Sequence, residues 1–204
     1  MHAVPLNDQR LSSSASDMVR EMNLARQHPS IYAGHLEKLR ENFRGNILAL
    51  PDGTMVRTHE GIAALDDAIG FLRRVHPLTA LTFSPGISLA AAEHVADQAS
   101  GAFGHAGSDR SDPGMRMNRY GTWSTLCGEN ISYGKATARD VVIALIIDDG
   151  LRGRKHRKNI FNQAFNFAGA AVGPHARYRT VWSIDFAAGW TERKNATTSL
   201  LARN

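Results

Sequence analysis

The sequence predicts a single α+β domain, and three observations carry that expectation. Helical periodicity runs through the first half, a later segment at 141–147 (VVIALII) is apolar on every side, and the final third alternates like an antiparallel hairpin. A helix apolar all round belongs inside, packed on a sheet and flanked by other helices. At 204 residues and 43% hydrophobic content the chain is long enough for one well-buried core, whereas two domains would each be small. The expected organisation is a flexible start at 1–13, one domain over 14–190 with a hairpin insertion at 43–58, and a fraying tail at 191–204.

Each element has its own signal. SASDMVREMNLARQH (14–28) places Met18, Met22 and Ala25 at helical spacing, and Pro29 stops it. IYAGHLEKLRENF (31–43) reads as a second helix with a solvated charged face. Pro51-Asp52-Gly53 between apolar runs is turn chemistry for a small hairpin. Thr58 is the expected cap of a helix whose apolar positions are Ile62, Leu65, Ile69 and Leu72. Ser84-Pro85 opens the next helix, with Leu89, Ala92, Val95 and Ala99 as its buried stripe and His94 beside it as a satisfied core or edge residue. Residues 102–123 show no usable period and read as an irregular loop. Thr137 and Asp140 form a capping pattern for the apolar helix, which Gly150 is expected to close. In the last run Tyr178, Thr180, Trp182, Ile184 and Phe186 share one face, and Arg179, Val181, Ser183 and Asp185 take the other.

Composition excludes some classes of function. There is no apolar run of 18 or more residues, and the opening MHAVPLNDQRLSSS has no secretory-signal stretch. The lone Cys127 cannot form an intramolecular disulfide, so stability must come from packing. A net charge of +5 favours acidic partners in general, but it does not predict a dedicated nucleic-acid role.

Four ionisable residues stand where apolar segments stop: His105 in FGHAGSD, Glu129 in CGENISYG, Asp148 at the end of the apolar helix and His156 in RGRKHRK. Two imidazoles and two carboxylates are ligand types for zinc and also acid–base groups for hydrolysis. Asp148 and Asp149 face the negative end of their helix, which costs a few tenths to about 1 kcal/mol unless compensated. Pairing with Arg152, Arg154 and Lys155 is the plain compensation.

In these segments the chain resembles the CAP superfamily of cysteine-rich secretory, antigen 5 and pathogenesis-related proteins, with their bacterial SCP-like members. EMNLARQHP, LAAAEHVADQASGAFGH, CGENISYG, VVIALIIDD with HRKNIF, and YRTVWSIDFA are similar, in that order, to the family's motifs. The resemblance implies a three-layer α-β-α sandwich with a central antiparallel sheet, an extracellular or periplasmic location, and a cleft lined by His105, Glu129, Asp148 and His156. Asp148 stands where animal and plant forms carry glutamate, and Leu145 where that helix usually carries tryptophan.

Two readings of function follow, with a third beside them. The first is a monomeric binding module holding a divalent metal, zinc foremost, through His105, His156, Glu129 and Asp148, or holding a small, lipid-like or sterol ligand. The second is a hydrolase using Glu129, His105 or His156 as catalytic groups. Cys127 is set aside as its nucleophile because strand positions alternate in facing and no motif supports it. The third is a basic module gripping anionic polymers through residues 152–158.

Overall fold

The hairpin at the end of the chain is the middle of the molecule. In the computed structural model, which describes residues 6–49 and 53–194 with side chains from Ser14 onward, β6 (Phe167–His175) and β7 (Arg179–Glu192) pair antiparallel from Phe167↔Ala187 to His175↔Arg179. The long β5 (Gly121–Tyr133) adds antiparallel to β7, and the two-residue β4 (Thr82–Phe83) adds to the far edge, parallel to β6. The order β4-β6-β7-β5 leaves β5 as an edge strand.

Both faces of this sheet are covered, giving a three-layer α-β-α sandwich. Ala168, Ala170, Trp182, Ile184 and Phe186 join one core with α1 (Leu6–Gln27), α2 (Pro29–Leu39), α3 (Ile62–Arg74) and α6 (Ala138–Ile147). On the other face Ala171 and Val181 pack against Ala91 and Val95 of α4 (Pro85–Gln98), and Ala187 packs against Met117 of the short α5 (Pro113–Met117). Gly169 is what lets α4 lie on β6, because a Cβ there would come within 2.3 Å of the Ser88 backbone nitrogen. β1 (Phe43–Arg44), β2 (Ile47–Ala49) and β3 (Met55–Arg57) form a separate antiparallel meander; of its expected turn, Pro51 and Asp52 lie outside the described residues.

Several sequence expectations shift. Helix α1 begins at Leu6 rather than Ser14, since nothing after Pro5 breaks a helix. Thr58 does not cap α3: its N–H and Oγ both donate to the Asn46 carbonyl at 2.8 Å, closing the meander, and Gly61 stands at the helix start with φ 61°. Ile62 is exposed. The buried stripe of α4 is rotated to Ile87, Ala90, Ala91, His94, Val95 and Gln98, because His94 and Gln98 find polar partners inside. Within the supposed loop, Asp112-Pro113 opens α5 with the same cap-then-proline signal as Ser84-Pro85, and Asp112 accepts from the Met115 N–H at 2.7 Å. Thr191 and Glu192 belong to β7, and the Glu192 carboxylate accepts from Ser84 Oγ, the Gly86 N–H and Trp190 Nε1, anchoring the start of α4. The rest of the tail from Asn195 lies outside the described residues.

Arg26 explains why EMNLARQHP has its form. Fully buried, it donates to the carbonyls of Thr79, Ile160, Asn162 and Phe165, while Asn23 exchanges two bonds with the backbone of Leu81. One side chain thus satisfies four carbonyls, one just ahead of β4 and three just ahead of β6. Arg26→Ala should lower unfolding free energy by about 3 kcal/mol or more, since it strands buried acceptors. Urea denaturation measures this, and a loss under about 1 kcal/mol would contradict the role given to it.

Candidate functional site

The four predicted residues assemble as two histidine–carboxylate pairs. His105 Nδ1 lies 2.7 Å from Glu129 Oε1, and His156 Nδ1 lies 2.7 Å from Asp148 Oδ1. In both pairs the acid is inside and the ring outside: the side chains of Glu129 and Asp148 are 1% exposed, those of His105 and His156 55% and 22%. A carboxylate only accepts, so each ring must carry its proton on Nδ1 and leave the Nε2 lone pair uncommitted when neutral.

Asp148 reaches its position through the backbone. Helix α6 ends at Ile147, and Asp148 itself, rather than Gly150, takes the left-handed C-cap at φ 54°, a conformation Asp tolerates. That turn sends its carboxylate to the start of α7 (Lys155–Ile160), where Oδ2 accepts from the N–H of His156 at 2.9 Å and of Arg157 at 3.4 Å. The penalty of an acid at the negative end of α6 is therefore met by the positive end of α7. It is not met by the neighbouring arginines. Arg154 binds Glu60 and holds that carboxyl down to about 2, and it also reaches Asp67 and the Asp148 carbonyl. Arg157 is buried on the Ile146 and Ile147 carbonyls and Asp67. Asp149 points away from the pairs and accepts from the N–H groups of His59 and Glu60, the segment that enters α3.

Glu129 sits on β5, directly across from Asp185 on β7. Its Oε2 accepts from Arg116 Nη2 at 2.8 Å and from Ser183 Oγ at 2.9 Å. Asn130, next along the strand, points to the opposite face, where its Nδ2 donates to the His156 carbonyl and its Oδ1 accepts from Asn159. Gly128 shares that face and lies against Phe165, 3.1 Å from where a Cβ would stand. The loop carrying His105 is tied to α4: His94 and Gln98 both donate to the Gly104 carbonyl, and Asp97 accepts from Ser108. His94 is thus a buried structural residue, and burial pushes its pKa below the usual histidine range. Cys127 shares the face of Glu129, since residues two apart on a strand point the same way, which corrects the expectation that alternation separates them. Burial pushes its thiol up, away from nucleophilic duty.

A family model described as the cysteine-rich secretory protein family, CAP, matches residues 67–186, more than half of the 204 residues. The chain belongs to the CAP family. The match begins inside α3, so α1, α2 and the three-stranded meander lie outside it. No protein in the curated comparison set matches. Among solved structures, this CAP chain is similar to an extracellular SCP-domain protein of Bacillus anthracis, with 21% identity and TM-score 0.44 over 59% of this chain and 37% of that one. An outer surface protein of Borrelia burgdorferi aligns at 18% identity and TM-score 0.45, over 54% of this chain and 78% of that one. A cysteine-rich secretory protein of Staphylococcus aureus aligns at 15% identity and TM-score 0.43, over 63% and 38%. The chain therefore spans well under half of the Bacillus and Staphylococcus proteins. Among the described residues, no helix is long and apolar enough to cross a membrane.

Zinc takes His, Cys and carboxylate ligands, usually four in a structural site. Every carboxylate oxygen of Glu129 and Asp148 already accepts a hydrogen bond, and among the described residues no group of three or more His, Cys, Asp or Glu could hold a metal ion. A cage built from all four predicted residues does not fit this geometry. The chemistry on offer is two Nε2 atoms, each on a ring held by an acid.

Asp185 went unnoticed in the sequence because its position reads as an ordinary strand residue. It is fully buried, and among the described residues no donor faces either of its oxygens. Burial first, and then the charge of Glu129, push its pKa well above the usual carboxylate range. The folded protein therefore keeps a proton on Asp185 that the unfolded chain releases above about pH 4. Stability tied to this group is full below that pH and falls as pH rises toward the folded pKa, by up to about 1.4 kcal/mol per pH unit. Asp185→Asn, which mimics the neutral acid, should melt close to the parent at pH 4 and above it by a margin that widens as the pH is raised. A gap that narrows with rising pH would contradict this.

Proposed function

We propose that this CAP domain is an exported binding module, and that its two carboxylate-held imidazoles take a divalent cation through Nε2 of His105 and of His156. The observation that carries the reading is the pair of Nδ1–carboxylate bonds. A ligating histidine characteristically donates its other ring N–H to a carboxylate, which fixes the tautomer and raises ligand basicity. In this reading Glu129 and Asp148 orient the ligands rather than serving as ligands. When bound, zinc would supply a Lewis-acidic centre with positions open to water or a further ligand. Export follows from the secretory family to which the domain belongs.

A hydrolytic reading has one observation in its favour: an imidazole held by a buried acid, as His105 is by Glu129, is also the arrangement of a general base. The raised thiol of Cys127 leaves water as the nucleophile. The basic run at 152–158 is a weaker binder of anionic polymers than its composition implies, because Arg154 and Arg157 are engaged internally and Arg152, Lys155 and Lys158 alone are exposed cations there.

Calorimetry with zinc on metal-stripped protein tests the binding reading. The parent should bind, His105→Ala with His156→Ala should abolish binding, and Glu129→Gln or Asp148→Asn should each weaken it about 10- to 100-fold. Binding that survives unchanged in the double histidine variant would sink it.

A further inference from the structure

Arg116 is a cation placed entirely in the interior, on the one-turn helix that follows the His105 loop. Its Nη1 donates to the carbonyls of His105 at 3.1 Å and Ser111 at 2.9 Å, and its Nη2 donates to Glu129 Oε2 at 2.8 Å. Burying a guanidinium is costly, and Glu129 by itself neutralises it. What the two carbonyl acceptors add is geometry, because a guanidinium is planar and presents its donors in a fixed fork. The backbone of His105 and the carboxylate that holds its ring are fixed by one rigid group.

Among the described residues the other pair has no such device, and the fold shows why it needs none. His156 is on a helix, and Asp148 binds both its ring and its backbone N–H. His105 is on a loop tied to α4 through the Gly104 carbonyl and Ser108, and to the sheet where the Gly104 N–H donates to Tyr133 Oη and the Ala102 carbonyl accepts from His175. None of these ties involves Glu129 or the His105 backbone itself. Arg116 joins the two.

We infer that Arg116 is a positioning residue for His105, holding its Nε2 in place through a side chain that never touches the ring. This rests on the binding reading above for its consequence in affinity, and on the contacts alone for its consequence in the ring. Arg116→Lys keeps the charge and loses the fork, while Ser183→Ala removes the other donor to the same Glu129 oxygen without touching the loop. The two variants and the parent are compared by zinc calorimetry and by NMR of the Nδ1 protons of His105 and His156.

Arg116→Lys should bind zinc about 10- to 100-fold more weakly, and it should lose the protected His105 Nδ1 proton while keeping that of His156. Ser183→Ala should keep both protons and most of the affinity. The inference is overturned if Arg116→Lys keeps the His105 proton, if it loses both protons together, or if Ser183→Ala matches it. Should the parent take no zinc, the binding reading fails while the ring protons still decide the role of Arg116. Should Arg116→Lys not fold, the parent decides: a guanidinium gripped by three acceptors shows separate, slowly rotating Nη groups, and freely averaging ones overturn the inference.

Discussion

Two neighbouring residues on an edge strand govern the arrangement, because successive side chains of a strand must point to opposite faces. Glu129 enters the α4–α5 layer and holds His105, while Asn130 enters the α7 side and holds the backbone of His156. One dipeptide thereby fixes two histidines that come from opposite layers of the sandwich. Shifting β5 by a single residue would swap both faces and place a carboxylate against Phe165. The sheet order makes this possible: β5 has a partner on one side only, so the loop after α4 and the start of α7 can both reach it.

The electrostatics follow from that placement. Each buried acid is matched locally, Glu129 by Arg116, Ser183 and His105, and Asp148 by the first N–H groups of α7 and by His156. Little of the chain's surplus positive charge takes part: Arg154 and Arg157 are spent on Glu60 and Asp67. Asp185 is the exception among buried acids, and its neutrality allows a second carboxyl beside Glu129 without a second cation. Two imidazoles reach solvent on buried carboxylate stems.

Much of this was legible in the sequence where local rules decide. Ser84-Pro85 and Thr137 announced their helices because a cap acts within three residues, and the alternation from Thr180 to Phe186 named the faces of β7 correctly. The four residues of the two histidine–carboxylate pairs could be named from motif order. Their pairing could not, because it depends on Asp148 turning left-handed and reaching forward to α7, which no periodicity encodes. Arg116 and Asp185 were missed for the same kind of reason: one sits in a stretch without period, the other in a strand pattern that specifies a face but not a partner. Thr58 misled because a threonine before a helix caps it only if the chain does not first need that hydroxyl elsewhere.

The central claim is that the site consists of two imidazoles, each held through Nδ1 by a buried carboxylate, with Nε2 left bare. Long-range nitrogen–proton correlation of the neutral histidine rings in the unmodified protein reads the tautomers directly. The account predicts the Nδ1–H tautomer for both His105 and His156. A proton on Nε2 of either ring, or rapid averaging between the two nitrogens, would contradict it.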